Sequence, residues 1–500
     1  MSTPEKHAAA AHLCGPYDSL RDYVSALDAR GRLLRIAEMD ADRFEPTGFA
    51  YRLIEEKGFH KAPAFLIERL KINGRWVDGP VLGNAFPGWD GEALAFGAEP
   101  YSADQSKARA AGTALLESLL SKDKLWPAIP PETVSAAEAP CKANVRIGDD
   151  VDLESFAWLQ TNPHDAGRYL NAASVFMEDP ELGRNVGTYR CQLKGRDRVG
   201  VNAEIGQHAW QFIDRARKAG RKSVTAALVI GADPITFAVG TSKITQLGED
   251  ELDIAGGLRR KAVQLVKCET SSVMVPAHAE IVIEGEIPVD RMEAEGPYGE
   301  VYGYMGLKKP ENFFMQVKAV TYRDRPLILN SFAGITKLTL MLAQNVSNKV
   351  RYREQIPGLV DIYRPIETTG VTLLSIKKQQ TGEGMAAGRV IADGDIFAKT
   401  VIVVDDDIDI HNFTQIFHAL GTRWQPHPAA ELIESTKGFP LDPSQPKRWV
   451  TSKMIIDATR QFPDEGGPEH WPEVSRVLLE RQSPEVFDLV ESRWQEYFDQ

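Results

Sequence analysis

The residues of this chain whose types could do chemistry are a guanidinium, two glutamates and an amide–imidazole–carboxylate set. Arg190 closes the run Asn185-Val-Gly-Thr-Tyr-Arg190, which puts an amide, a close-approach glycine and a guanidinium in one short stretch able to line a ligand. Glu295 and Glu300 flank a Gly-Pro turn in Glu295-Gly-Pro-Tyr-Gly-Glu300. Glycine frees the backbone there and proline stiffens it, so the two acids can converge on one pocket. Close carboxylates push one pKa upward, which yields a proton donor at neutral pH. The same residues also fit an ordinary hairpin with an exposed arginine, and an exposed acidic turn. Asn185, His208 and Glu251 together offer oxygen and nitrogen ligands that suit a divalent ion such as Mn²⁺ or Mg²⁺. His208 also fits a structural histidine at a helix start. Glu251 lies in Glu249-Asp-Glu-Leu-Asp253, which also fits a solvated loop. Lys399 begins a strand, where a lysine can hold a phosphate as a point charge. The strand ends in Asp405-Asp-Asp-Ile-Asp409, a metal holder or simply an acidic loop. Gly382-Glu-Gly-Met-Ala-Ala-Gly388 has neither the dinucleotide fingerprint nor the Walker spacing and reads as a loop and helix start.

The elements that must position these residues follow from periodicity and turn signals. The turns Glu178–Gly183 and Lys194–Asp197 bracket two runs, Val186–Leu193 and Val199–Asn202, which read as paired strands. Asn185 and Arg190 then leave opposite faces unless a bulge intervenes. Residues 1–16 read as a flexible lead, followed by alternating helices (Ser19–Ala29, Thr47–Lys57, Ser106–Ser121) and strands (Arg32–Ile36, Ala64–Leu70, Trp76–Asp78, Val81–Ala85), an α/β pattern. A proline-rich linker, Trp126–Glu132, ends this N-terminal region at about residue 135. From 136 to 333 short strands dominate, Pro326–Phe332 the last of them, and only Gln207–Ala219 is a clear helix. This implies a barrel or sandwich-like domain. A connecting helix follows within 334–356, then an α/β domain over 357–462 and a tail over 463–500. In that tail Ser483-Pro484 starts a helix, with serine as N-cap and proline at N1, and Phe487, Val490, Trp494 and Tyr497 on one face. That face is expected to dock on the chain's own body or on a partner subunit, within a homodimer or larger homo-oligomer.

Composition bounds the function. Five hundred residues are too many for one core. A net charge of -12 gives no support to a nucleic-acid partner. Cys14, Cys141, Cys191 and Cys268 lie far apart without a CxxC pair, which fits a reducing cytosol. The N-terminus has no apolar h-region and no run reaches membrane-spanning length, so a cytoplasmic protein is expected.

Taken in order, several motifs resemble the UbiD family of decarboxylases, which use prenylated FMN. Ala139-Pro-Cys-Lys142 and Asp165-Ala-Gly-Arg-Tyr169 precede Asn185–Arg190 and Gln207-His208. Glu251, Leu265-Val-Lys-Cys268, Glu280-Ile-Val-Ile-Glu-Gly285, Glu295–Glu300 and Val403–Asp409 follow. The resemblance covers nearly the whole chain. It implies an α/β N-terminal region, a split β-barrel cofactor domain, a connecting helix and a C-terminal α/β domain. It implies that Asn185, His208 and Glu251 hold a divalent metal at the cofactor phosphate. Asn185, Val186, Gly187, Thr188, Tyr189, Arg190, Gln207, His208 and Glu251 would hold the flavin, and Lys399 matches a phosphate-contacting lysine of some members. Gly240, Thr241 and Lys243 match, more loosely, a potassium loop of some members. Arg190, Glu295 and Glu300 match the catalytic Arg-Glu-Glu network. The implied activity is reversible non-oxidative decarboxylation of an aromatic, heteroaromatic or α,β-unsaturated acid through a covalent adduct with the cofactor. Glu300 would be the proton donor, and a flavin prenyltransferase the cofactor's supplier. Two other classes fit a flavin on a split barrel: an FMN-dependent oxidoreductase, needing nicotinamide but no paired glutamates, and a carrier that does no chemistry.

Overall fold

The computed structural model describes residues 14–498 and divides into two compact units. Most of the expected lead 1–16 lies outside the described residues. The first unit runs to Arg351 and takes in Pro365–Thr369 and Pro440–Gln445. The second comprises Tyr352–Arg364, Gly370–Phe439 and the chain from Pro446.

The first unit opens with helix Leu20–Ala29, capped by Ser19, whose hydroxyl accepts from Asp22 N at 3.3 Å. A four-stranded sheet follows, in the order Leu33–Asp40, Ala64–Ile72, Arg75–Gly83, Ile328–Leu329. Asn73 and Gly74, at φ 52° and 73°, make the hairpin turn between its middle strands. The two strands expected at 76–78 and 81–85 are one strand, because a register shift opposite Ile67–Arg69 absorbs Pro80, which has no N–H to donate. Of the expected strand Pro326–Phe332 only Ile328–Leu329 pairs. Beyond that pair Asn330 N still donates to Leu82 O at 2.9 Å, whereas Leu327 N donates to the Glu280 side chain and Ser331 N to that of Asn171.

The middle of this unit is an eight-stranded sheet built on one long strand, Lys309–Tyr322. Antiparallel neighbours flank it on both sides: Ile281–Pro288 on one, and Glu293–Glu295, Arg198–Val201 and Asn144–Ile147 along its length. From Ile281–Pro288 the sheet continues through Ser223–Ile230 and Tyr169–Asp179 to Gly183–Gln192. The expected pairing of 186–193 with 199–202 is therefore corrected. Gly183–Gln192 pairs along its length with Tyr169–Asp179, and Arg198–Val201 pairs with the long strand; Leu193 and Val199 share only an isolated bridge.

Helix His208–Lys218 is joined by two that periodicity did not reveal, Pro234–Thr241 and Glu251–Arg259. Pro234–Val239 and most of Glu251–Arg259 are buried, so no apolar stripe stands out against a polar face. Helix Gly88–Phe96, buried at every position, was unreadable for the same reason.

The second unit is a five-stranded sheet in the order Leu359–Tyr363, Val371–Ile376, Thr400–Asp405, Val450–Asp457, Ala430–Lys437. Its three central strands are parallel and its edges antiparallel. Leu374, Val401, Val403 and Ile455 pack with Ile391 of helix Glu383–Gly394 in its core. The C-terminal helix is shorter than expected. It spans Glu485–Ser492, with Pro484 rather than Ser483 at the N-cap. Ser492 Oγ donates to Leu489 O at 2.8 Å, and the chain tightens into a 3-10 turn at Gln495–Tyr497. Trp494 and Tyr497 therefore leave the helical register of Phe487 and Val490. A separate helix, Ser475–Gln482, precedes it.

Candidate active site

Strand Gly183–Gln192 carries the first group of site residues. Alternation sends Asn185, Gly187 and Tyr189 to one face and Val186, Thr188 and Arg190 to the other. A bulge does occur, but on the neighbouring strand: Leu170 pairs with Cys191 and Ala173 with Tyr189, so Asn171 and Ala172 together stand opposite Arg190.

On the first face, Asn185 Oδ1 lies 3.1 Å from His208 Nδ1, and that nitrogen lies 3.8 Å from Glu251 Oε1. Each residue opens or borders an element that holds it. His208 is the first residue of its helix, and Glu251 is the first of helix Glu251–Arg259, whose N-cap is Asp250. Glu251 is further fixed by Val186 N, which donates to Oε2 at 3.0 Å, and by Thr245 Oγ1, which donates to Oε1 at 3.1 Å. Glu251 and Asn185 are buried and His208 is half-buried. Among the described residues no Lys or Arg pairs with Glu251, and Asn185 Nδ2 is buried without a hydrogen-bond partner. A buried carboxylate, an amide oxygen and an imidazole converging without a cation are a donor set that fits a hard or borderline divalent ion. Among the described residues no group of three or more His, Cys, Asp or Glu could hold a metal; this set has two of those types plus an amide.

The rest of the strand is tied to its surroundings. The Tyr189 hydroxyl accepts from Ala209 N at 3.4 Å, and burial pushes its pKa up to about 12. Gly187 leaves room for the Tyr189 ring, which a side chain at 187 would strike. Thr188 Oγ1 and Ser174 Oγ are 3.1 Å apart. Gly240 packs over Val186, Thr188 and Ser174, and Thr241 Oγ1 donates to Ala238 O at 3.0 Å. Lys243 N donates to Gln344 Oε1 at 2.9 Å. Gln207 turns its side chain to its own loop, where Oε1 accepts from Glu204 N at 2.7 Å. Lys399 belongs to the second unit, where its N–H donates to Gly370 O and its carbonyl accepts from Met454 N.

On the other face Arg190 meets both glutamates. Nε and Nη2 donate to Glu295 Oε1 and Oε2, each at 2.9 Å, and Nη1 donates to Glu300 Oε1. The guanidinium lies over the Tyr298 ring, 4.9 Å from its centroid. Glu295 is 1% exposed and Glu300 9%. Burial raises the Glu300 pKa above the ordinary glutamate value, against the pull of Arg190. For Arg190 burial alone would lower the pKa, and its hydrogen bonds to Glu295 together with both acids' charges raise it instead. The arginine therefore stays charged while Glu300 is the acid displaced toward its protonated form.

The acidic turn is shaped by its own Gly296 and by residues from elsewhere in the chain. Gly296 sits at φ 75°, a left-handed position that suits glycine. Tyr169 donates its hydroxyl to Glu295 Oε1 at 3.2 Å and packs on Tyr298, 4.5 Å between centroids. Asp165 accepts from Thr161 N and Oγ1, from Asn162 N, and from Gly299 N at 2.9 Å, which pins the turn. Asn171, on the bulge, donates to Ser331 O at 2.8 Å and accepts from Ser331 N at 2.9 Å. Phe332 is buried against Phe65, 5.5 Å between ring centroids.

Comparison with known proteins agrees in extent with this architecture. Three UbiD family profiles match in succession. The 3-octaprenyl-4-hydroxybenzoate carboxy-lyase N-terminal domain covers residues 24–110, the Rift-related domain 132–336 and the C-terminal domain 341–458. A phenolic acid decarboxylase of Sedimentibacter hydroxybenzoicus is 30% identical over 500 residues, 93% of this chain and 99% of that one. The structure of the UbiD-class enzyme HmfF from Pelotomaculum thermopropionicum, in complex with FMN, superposes with a TM-score of 0.77 at 29% identity, covering 91% of this chain and 97% of that one. The vanillic acid decarboxylase of Sedimentibacter hydroxybenzoicus, in open form, superposes with a TM-score of 0.80 at 27% identity, covering 97% of this chain and 100% of that one. With an arginine between two buried glutamates on a fold shared along nearly its whole length, the chain belongs to the UbiD family of carboxy-lyases.

Proposed function

We propose that the chain is a prenylated-FMN-dependent decarboxylase, working reversibly on an aromatic, heteroaromatic or α,β-unsaturated carboxylic acid, with Glu300 as proton donor. The observation that carries this is the Glu295–Arg190–Glu300 arrangement, in which one acid receives two guanidinium bonds and the other, raised toward its protonated form, receives one. Prenylated FMN, when bound, supplies the sink for the electron pair left on carbon as CO₂ departs. The protein's part is position, charge and a proton. Arg190 orients the substrate carboxylate with the N–H groups that its glutamates leave. The bond from carbon to the carboxyl group breaks, and the proton on Glu300 passes to that carbon. Glu300 is then a carboxylate beside Arg190, which stabilises it until a solvent proton restores the acid.

Asn185, His208 and Glu251 would hold Mn²⁺ or Mg²⁺, which offsets the negative charge of the cofactor phosphate. Val186–Tyr189 and Gln207 would line the flavin. A potassium ion at Gly240, Thr241 and Lys243 rests on resemblance; the Thr241 hydroxyl donates to Ala238, which leaves its lone pairs for a cation. We assign residues 136–333 to the cofactor domain, and a flavin prenyltransferase as the source of its ligand.

The test is CO₂ release from a panel of aromatic and acrylic acids, using protein made with and without a flavin prenyltransferase. Activity and the modified-flavin absorbance should appear together and only with it. Glu300→Gln, loaded with cofactor, should lose about 10²–10⁴-fold in kcat and fail to exchange solvent deuterium into product. A loaded Glu300→Gln enzyme at near wild-type rate would remove the proton-donor role.

A further inference from the structure

The Glu300 residue is gripped at its backbone by the hairpin it belongs to. Its N–H donates to Tyr304 O at 2.8 Å, and its carbonyl accepts from Gly303 N at 2.9 Å. The two short strands of this hairpin pair Tyr298 with Gly306 and Gly299 with Met305. The Glu300 side chain folds back over the returning strand. A Cβ placed on Gly306 would lie 2.5 Å from Glu300 Oε1, 3.0 Å from its Cγ and 3.2 Å from its Cδ. Gly296 and Gly303 have φ near 75°, where glycine relieves strain. Gly306 has the ordinary backbone of a strand, so it is space rather than conformation that excludes a side chain there.

We propose that Gly306 is a positioning residue of the reaction: its bare Cα is the seat on which the Glu300 carboxyl rests, and the missing side chain lets that carboxyl reach Arg190. This rests on the assignment of Glu300 as proton donor. The atoms that a methyl group at 306 would strike are the end of a flexible side chain. The chain should therefore fold around the substitution, and the acid should swing away. A misplacement of about 1 Å at a reacting group costs on the order of 10²-fold in rate. Shortening the acid to aspartate removes the methylene whose length fills the space above Gly306, so the two substitutions should compensate.

The experiment compares Gly306→Ala, Glu300→Asp and the double variant, each loaded with prenylated FMN, with Glu300→Gln as the reference. Gly306→Ala should keep the cofactor spectrum and hold KM within about 3-fold while kcat falls roughly 10–100-fold. The double variant should lose about 10-fold less than the product of the two single losses. If Gly306→Ala alone fails to fold and the double variant folds, the same contact has been detected through stability. Wild-type kcat in Gly306→Ala, a change in KM alone, losses that simply multiply in the double variant, or failure of both proteins to fold would each overturn the inference. A Glu300→Gln enzyme at wild-type rate would overturn the proton-donor assignment and this inference with it. An inactive Glu300→Gln beside a neutral Gly306→Ala would overturn this inference alone.

Discussion

Glu300 titrates against three charged neighbours: Arg190 and Lys309 pull its pKa down, and Glu295 pushes it up. Burial outweighs them, and the net displacement is upward from 4.5. Two consequences have opposite uses but the same sign. A reaction that needs Glu300 protonated slows as pH rises through the raised value, so kcat/KM should show a descending limb above the ordinary glutamate range. Glu300→Gln should leave a residual rate without that limb. For stability, the folded chain binds this proton more tightly than the unfolded one. The contribution is fully present below the unfolded value of 4.5 and is lost as pH rises through the folded value. Denaturant melts of apoprotein should show the wild type losing stability relative to Glu300→Gln across that window, and an unchanged difference would count against the raised pKa. At the neighbouring set, His208→Ala should lower bound metal and flavin together, read by elemental analysis and absorbance, because Asn185 and Glu251 alone leave an open coordination position. Full content of both would refute the ligand assignment.

At the scale of elements, what could be read from the chain depended on contrast. His208–Lys218 was legible because apolar Trp210, Ile213 and Ala216 recur at helical spacing among charged Arg215, Arg217 and Lys218. Helix Pro234–Thr241 carries an N-cap aspartate followed by proline, a signal that its uniform burial hid. The acidic run Glu249–Asp253 fitted a solvated loop as well as a ligand-bearing segment; Asp250 caps a helix there and Glu251 is buried. Arg190 and the acidic turn were legible as residue types. The parts played by Tyr169, Asp165, Asn171 and Gly306 were not, because each acts across a contact more than 100 residues away in the chain or by an absent side chain. The helix of Glu251 also approaches the linker closely: side chains at Gly256 and Gly257 would strike the carbonyls of Ile129 and Pro127. Gly257→Ala should therefore lift that helix, costing about 1–3 kcal/mol in thermal or denaturant melts and lowering metal content through Glu251. A substitution that gains stability, as alanine does in an uncrowded helix, would exclude the close approach.

Across the whole molecule, no helix among the described residues is long and apolar enough to cross a membrane. The C-terminal segment nevertheless leaves Leu489, Trp494, Tyr497 and Phe498 exposed together. Such a surface favours self-association. Light scattering should find a homodimer or larger, reduced in size when the chain ends at Gln482; a monomer in both cases would reject this. The forked sheet has a different consequence, in time rather than in space. Lys309–Tyr322 is shared by four neighbouring strands, so none of them can be released without disturbing the others. Their amide protons should exchange with solvent slowly and at a common rate, that of global opening. The strands Tyr298–Gly299 and Met305–Gly306 are joined by only two pairs of residues and should exchange sooner. Glu300, the acid proposed to take up a fresh proton after every turnover, thus sits on the part of the unit expected to open often, anchored to a frame expected to open rarely.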